Sequence, residues 1–313
     1  MSDAPFDKLA ILGIGLLGSS IAHAVKTYGG AERLALWDSS SEVRESAGGV
    51  FGGDVTASAA EAVSGADCVI LCTPVGVFGD VTALIRDSLS PGAILTDVGS
   101  VKVTAARDMA AHCPEGVHLI PGHPIAGTEK SGPEAGFATL FQGSWHILTP
   151  LKQDDSAYTE AVHRLTEFWI HLGARVETMD ADRHDRVLAI TSHLPHLIAY
   201  NIVSTAYDME SVEQGEVVKY SAGGFRDFTR IAASDPIMWR DVFLNNKEAV
   251  LETLGRFSED LAALQRAIRW GDGETLMKEF TRARGIREAI IDAGLDTAEA
   301  DFGRRHIDPS SDK

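Results

Sequence analysis

His123 sits in the stretch Gly122-His-Pro-Ile-Ala-Gly-Thr-Glu-Lys-Ser-Gly132, directly after the apolar run Val117-His-Leu-Ile-Pro121. If that run is the last parallel strand of a dinucleotide-binding sheet, the imidazole lies at the sheet's carboxyl edge, where such folds bind ligands. Histidine is also the side chain whose unperturbed pKa suits proton transfer near neutrality. A base facing a nicotinamide ring is what an alcohol-oxidising dehydrogenase needs. A lone loop histidine more often serves only to hydrogen-bond backbone. Here the surrounding glycines and proline demand a fixed backbone path, and the N-terminal half supplies a cofactor fold.

That cofactor fold announces itself at Gly13-Ile-Gly-Leu-Leu-Gly18, which fits G-x-G-x-x-G between a strand and a helix. Gly13 allows the tight turn, Gly15 lets backbone approach a pyrophosphate, and Gly18 packs helix on strand. Leu16 and Leu17 open the helix whose N-terminus meets the phosphate charge. Asp38 follows the second strand, 20 residues after Gly18. A carboxylate there suits an adenosine ribose diol and repels a 2′-phosphate. With no arginine at positions 38 to 43, NAD is favoured over NADP. Thr73 and Pro74 after the fourth strand, and Ser100 after the fifth, should line the same crevice.

Two later segments are too polar for simple core. Ser192-His-Leu-Pro-His196 puts Ser192 and His196 about one helical turn apart on one face. Ser221-Ala-Gly-Gly-Phe-Arg-Asp-Phe-Thr-Arg230 is a glycine break followed by Arg226, Asp227 and Arg230. It reads either as a solvated helix face with an Arg–Asp pair or as a carboxylate site, since guanidinium matches carboxylate bidentately.

The elements that must carry these groups alternate short apolar runs with helix-length segments from Lys8 to about Thr178, the mark of βαβ units. Strands are expected at Leu9–Leu12, Leu34–Trp37, Val50–Val55, Cys68–Leu71, Ala93–Thr96 and Val117–Ile120. Helices fall at Leu16–Thr27, near Ala57–Val63, and at Val77–Leu89, Lys102–His112 and Ser156–Leu172. Trp145–Leu148 and Arg175–Thr178 look like extra edge strands. After Met179 the pattern is helical to about Ala293, starting at Asp180, with a kink at Pro195. The expected architecture is α/β: residues 1–179 a Rossmann-type, mostly parallel domain, 180–300 an all-helical domain, and 301–313 a frayed tail.

Composition bounds the partners. Lys+Arg is 28 against Asp+Glu 45, a formal charge of −17. With no long basic run, nucleic acid and anionic membrane surfaces are poor partners. Met1 to Lys8 lacks a signal-peptide pattern, and no apolar run approaches ~18 residues, so no membrane span is expected. Cys68 and Cys72 share a strand, roughly 13 Å apart at ~3.3 Å per residue, too far for a disulfide. With Cys113 they read as thiols of a cytoplasmic protein. The 11 histidines lack ligand spacing, so no metal site is expected.

Taken together, Gly13–Gly18, Asp97-Val-Gly-Ser-Val-Lys102, Gly122–Gly132 and Gly-Gly-Phe-Arg-Asp-Phe-Thr-Arg230 make the chain resemble the prephenate dehydrogenases, a group shading into cyclohexadienyl and arogenate dehydrogenases. The resemblance runs from about Lys8 to Ala293. It implies NAD-dependent oxidative decarboxylation of prephenate or arogenate in tyrosine biosynthesis. His123 then matches the acceptor of the substrate hydroxyl proton, and Ser100 a serine that hydrogen-bonds that histidine beside the nicotinamide. His196 and Ser192 match substrate-pocket residues, Arg230 the arginine that binds a carboxylate, and Glu129 a pocket carboxylate that influences pH response. Arg226 stands where lysine is common. The resemblance also implies a homodimer through the helical domain.

Two other readings share parts of this pattern. A β-hydroxyacid dehydrogenase or imine reductase would place a catalytic lysine or aspartate in the helical part, and the His123 motif argues against it. A non-catalytic NAD-binding redox sensor would need the glycine loop, yet gives no reason for His123, His196 and Arg230.

Overall fold

The computed structural model describes residues 4–128, 130, 132–153, 155–210 and 223–292. Five strands form the central sheet: β1 (Phe6–Leu12), β2 (Ala31–Trp37), β3 (Cys68–Leu71), β4 (Ile94–Asp97) and β5 (His118–Leu119). They pair in parallel in the order β2-β1-β3-β4-β5. The period-two alternation of a strand explains why both faces are apolar. Leu9 and Ile11 face one core cluster with Cys68, Ile70 and Ile94, while Ala10 and Leu12 face another with Val69, Leu71 and Leu95. Helices α1 (Leu16–Tyr28) and α6 (Ser156–His171) cover the first face; α3 (Ala59–Val63), α4 (Phe78–Ile85) and α5 (Val103–Ala110) cover the second.

Two expectations for this half need correcting. Val50–Val55 is not a strand: Ser40 caps α2 (Ser41–Phe51), accepting from the Val43 amide at 3.3 Å. Gly52, at φ +62°, ends that helix, and Val55 makes only an isolated bridge to Leu36. Nor do the later strands extend the main sheet. β6 (Gly122–Pro124), β7 (Trp145–Leu148) and β8 (Arg175–Thr178) form a second sheet, with β6 antiparallel and β8 parallel to β7. His123 is therefore on a strand rather than in the loop beyond the parallel sheet.

From residue 181 the described chain is helical. α7 (Ala181–Leu188) and α8 (Leu194–Glu210) are joined by a π-helical turn at Ala189–His193. Pro195 lacks an N–H and its ring crowds the preceding turn, so the expected kink takes the form of a locally widened ladder. The continuous helix Ala181–Met209 is long and apolar enough, by length and composition, to cross a membrane. No unbroken apolar run marks it in the sequence, because Ser192, His193 and His196 interrupt the stretch. α9 (Gly223–Thr229) leads into a 3₁₀ turn at Arg230–Ala233. Next comes α10 (Pro236–Asn245), with Asp235 capping it through the Met238 amide at 2.8 Å.

α11 (Lys247–Trp270) and α12 (Gly273–Asp292) complete the described chain. Contacts group it into Met1–Thr253 and Leu254–Lys313. Element composition changes at residue 180, but the compact unit runs on to 253. Trp239 and Val242 of α10 pack into the same cluster as α4 and α5, so helices after 180 add to the α/β core. The tail 301–313 lies outside the described residues.

Candidate active site

The glycine loop connects β1 to α1 with its first amide, Gly13 N–H, donating to the Trp37 carbonyl at 2.8 Å. Gly13 has φ +102°, and a Cβ there would lie 2.6 Å from the Cys72 carbonyl carbon at the end of β3. A Cβ on Gly18 would lie 2.0 Å from Gly13 O, so only glycine lets α1 pack this close to its own loop. A Cβ on Gly15 meets nothing within 4 Å. That open space fronts the α1 N-terminus, where Leu16 and Leu17 begin the helix and the first amides lack intrahelical acceptors. Thr73 Oγ1, buried without a hydrogen-bond partner among the described residues, borders the same turn. Open space, free amides and an orphaned hydroxyl fit a dinucleotide phosphate.

Asp38 is held rigidly. Its Oδ2 accepts from the Ile14 amide and its Oδ1 from the Ser40 amide, both at 2.9 Å. Positions 38 to 43 hold no arginine, but the next residue does bear on the site. Arg44 reaches back and donates to the Asp38 carbonyl at 2.6 Å and the Ser39 carbonyl at 3.1 Å. Pro74 and Ser100 follow β3 and β4, so the carboxyl ends of four strands converge here.

Beyond β4 lies a buried charge pair that sequence reasoning did not identify. Lys102 and Asp97 are both fully enclosed, and the ammonium bonds the Asp97 carboxylate and the Gly122 carbonyl, the latter at 2.5 Å. Burial pushes the Asp97 carboxyl up and the Lys102 ammonium down, each opposed by the other's charge. Gly122 also donates to Asp97 at 3.4 Å, and a Cβ on Gly122 would sit 2.7 Å from His146 Nε2. The start of β6 is thus pinned on both sides, and His123 is the next residue.

His123 is 8% exposed, and its Nδ1 lies 2.8 Å from Nε2 of His184. His184 Nδ1 in turn lies 2.8 Å from Asp185 Oδ1. The Asp185 carboxylate accepts the amides of Lys102 at 2.8 Å and Val103 at 2.9 Å, at the N-terminus of α5. Its carbonyl accepts from Asn246 Nδ2 at 2.9 Å, which also lies 3.1 Å from His193 Nδ1. Burial, reinforced by His184, Lys102, His146 and His193, holds His123 well below the ordinary histidine range. His184 is likewise lowered by burial, and His193 is pushed down to about 4. Ser100 is half-buried in the turn before Lys102. Among the described residues its hydroxyl makes no hydrogen bond to His123; the partner of that imidazole is His184.

His196 is half-buried, stacks on Trp239 at 3.8 Å and donates from Nδ1 to the Ser192 carbonyl at 2.8 Å. Its pKa is lowered by burial, opposed by the hydrogen bond to the Ser192 carbonyl, with the Arg230 charge adding to the lowering. Arg230 and Arg226 are both exposed. Ser192 lies in the π-helical turn. Glu129, Ser221 and Ala222 lie outside the described residues. The sequence reading missed His184, Asp185, Asn246 and Trp239. The signal available was the His184–Asp185 dipeptide in the first turns of a helix beginning at residue 181.

Comparison with known proteins bears on this arrangement. A family model described as the nucleotide-binding domain of prephenate dehydrogenase matches residues 21–178, and one described as its dimerization domain matches residues 180–282. The chain is 41% identical over 286 residues to cyclohexadienyl dehydrogenase of Zymomonas mobilis, covering 91% of this chain and 96% of that one. The chain belongs to the prephenate dehydrogenase family. Prephenate dehydrogenase of Bacillus subtilis is 32% identical over 292 residues, covering 91% of this chain and 76% of the relative. The solved structure of prephenate dehydrogenase from A. aeolicus in complex with hydroxyphenyl propionate and NAD⁺ superposes with a TM-score of 0.82 at 35% identity. It covers 93% of this chain and 99% of that one.

Two outcomes follow from the geometry of this prephenate dehydrogenase family member. kcat/KM should be much higher with NAD⁺ than with NADP⁺. Asp38→Ser should narrow the gap from both sides, removing the repulsive carboxylate beside Arg44 and loosening the Ile14 amide. Steady-state rates with both nucleotides decide it, and a wild-type preference for NADP⁺ overturns the role given to Asp38.

The second concerns acid stability. His123, His146, His184 and His193 all have folded pKa values below the ~6.5 of an unfolded chain. Above pH 6.5 both states are neutral at these positions and stability is flat. Below it the unfolded chain binds protons the folded chain refuses, so stability falls by up to about 1.4 kcal/mol per pH unit for each histidine. Urea unfolding should therefore lose on the order of 4 kcal/mol between pH 7.5 and 5.5. An unchanged midpoint over that interval would show that these imidazoles are not held neutral.

Proposed function

We propose that this chain catalyses the NAD⁺-dependent oxidative decarboxylation of prephenate to 4-hydroxyphenylpyruvate, with arogenate as a second acceptable substrate. The observation that carries this is His123: a buried imidazole kept neutral beside the carboxyl edge of a dinucleotide-binding sheet. NAD⁺, when bound, supplies the hydride acceptor. Gly13, Gly15, Leu16, Leu17 and Gly18 would hold its phosphates through backbone with the Thr73 hydroxyl beside them, Asp38 would hold its ribose, and Pro74 and Ser100 would border the nicotinamide end.

His123 accepts the hydroxyl proton on its free nitrogen as hydride leaves the carbinol carbon. Loss of CO₂ then returns the bond pair through the ring to the same oxygen. Dianionic prephenate becomes monoanionic 4-hydroxyphenylpyruvate, CO₂ and a hydride, so the overall reaction releases no proton. The proton taken by His123 goes back to that oxygen as the ring becomes aromatic, and the base is regenerated within one turnover. Arg230 binds a substrate carboxylate, with Arg226 adding charge, and Ser192 and His196 belong to the substrate pocket. What supports this reading for Arg230 is that its 3₁₀ turn packs against α8, the helix that carries His196.

The reading extends to a cytoplasmic homodimer in tyrosine biosynthesis. Three free cysteines support the compartment. Support for the dimer comes from the dimerization-domain match and from the exposed Leu261, Ile268, Trp270, Met277 and Phe280.

NADH formation with prephenate and arogenate in parallel tests the activity. His123→Asn keeps hydrogen bonding without a base, so kcat should fall by about 10²–10⁴-fold. Because the His123 pKa is depressed and the base must be deprotonated, the acidic fall in wild-type kcat/KM should begin below pH ~6.5. Near-normal turnover in the Asn variant would remove His123 from the chemistry.

Arg230→Ala separates substrate anchoring from helix packing. Losing one partner of a charge pair that the bound substrate buries costs about 2–5 kcal/mol, so KM for prephenate should rise at least about 30-fold. NAD⁺ affinity should stay near wild type, and kcat should fall much less than for His123→Asn. A KM within about twofold of wild type, the ±0.5 kcal/mol of an ordinary surface change, would refute the anchor.

A further inference from the structure

We infer that His184 and Asp185 are positioning residues that lock His123 in a single tautomer, with its proton on Nδ1 and its lone pair on Nε2. The inference rests on the reading of His123 as the base. It adds residues that neither the sequence motifs nor the family comparisons assign.

The order of donors and acceptors is set outward from the carboxylate. An ionised carboxylate only accepts hydrogen bonds. Asp185 takes two backbone amides, from Lys102 and Val103, at the positive end of α5, where negative charge is favoured. His184 Nδ1, 2.8 Å from Asp185 Oδ1, must then be the donor. A neutral imidazole carrying its proton on Nδ1 presents a lone pair at Nε2. That lone pair lies 2.8 Å from His123 Nδ1, which must donate in turn. The remaining nitrogen of His123, Nε2, is left as the acceptor. In the reaction it takes the hydroxyl proton, breaking O–H and forming N–H, and gives it back to the same oxygen later in the turnover.

Burial makes this choice binding. His123, His184 and Asp185 are 8%, 0% and 4% exposed, so water cannot substitute for a missing partner. Without His184, the Nδ1–H of His123 would be an unsatisfied buried donor. The ring would shift its proton to Nε2, which is the atom that must stay free. Asn246 fixes the Asp185 main chain, so the relay cannot swing away.

Nitrogen-15 NMR of the imidazoles tests this in the wild-type protein, with the His123 signal assigned by its loss in His123→Asn. The expected state at neutral pH is protonated Nδ1 and bare Nε2; protonation at Nε2 overturns the inference outright. His184→Leu removes the acceptor and should lower kcat by about 10–100-fold, the usual worth of a partner that orients a functional histidine. KM for prephenate and Kd for NAD⁺ should stay within about threefold, since neither ligand touches His184 in this reading. His184→Gln, which can place an acceptor oxygen near the position of Nε2, should recover most of the loss, a rescue that a purely packing role would not give. Wild-type kcat in the Leu variant, or a Gln variant as impaired as Leu, refutes the relay. If the Leu variant does not fold, the wild-type tautomer and the Gln variant still decide. Should His123→Asn be inactive while His184→Leu is normal, the relay falls and the base stands. If His123→Asn keeps turnover, the base reading itself has failed.

Discussion

The ammonium of Lys102 is completely enclosed, and the placement of His123 depends on what satisfies it. Taking such a charge out of water costs several kcal/mol unless partners replace the lost hydration. Asp97, at the end of β4, supplies the opposite charge, and the Gly122 carbonyl supplies a further acceptor. Those two partners belong to different sheets, so the pair clamps them where the chain leaves one for the other. The main chain of the same residue does a second job, donating its amide to Asp185. One lysine therefore fixes both ends of the His123–His184–Asp185 line, through its side chain at Gly122 and its backbone at Asp185. A buried pair is weak support for stability, but a fixed location for the His123 imidazole is a use that the cost can serve.

The first helices after residue 180 are fitted to this clamp. α7 brings His184 and Asp185 to the α5 N-terminus, and the π-helical turn carries Ser192 and His193 onward to α8. Asn246, just after α10, ties the Asp185 carbonyl to His193. Trp239 of α10 meets His196 face to face and His193 edge-on, while its own ring lies in the core cluster beneath α4 and α5. The groups on α7, α8 and α10 and those at the strand ends are thus set by one continuous packing unit, which is why the compact body extends to residue 253 although strands end at 178.

What could be read in the sequence was what depends on local order. The β1–α1 glycine loop needs only its own three glycines and the strand and helix around them, and Cys68–Leu71 is a strand for any partner with two apolar faces. The misread segments depended on remote or unobvious partners. Val50–Val55 has strand-like residues, but Ser40 and Gly52 had already defined a helix across its start. His123 was identified by its flanking glycines, while its hydrogen-bond partner lies 61 residues away on an element whose register no local pattern reveals. The Ser100 hydroxyl is assigned to His123 through resemblance alone, and in this structure the imidazole's hydrogen-bond partner is His184. Lys102 was read as the start of a helix because nothing in Asp97–Lys102 discloses that both charges are buried.

The electrostatics of the site also fix the protonation state of His123. A histidine well below its ordinary pKa is fully deprotonated at neutrality but is a weak proton acceptor, and good general bases lie nearer the working pH. The site itself holds the imidazole low through burial and the nearby Lys102 charge. What the depression does secure is readiness: through the neutral range the ring carries no second proton, so a free nitrogen is available in every molecule. The protein's formal charge of −17 does not offset the local balance, since exposed charges beyond about 8–10 Å are largely screened. The state of this imidazole is therefore set by the groups packed around it, with burial first and the neighbouring histidines and Lys102 adding to it.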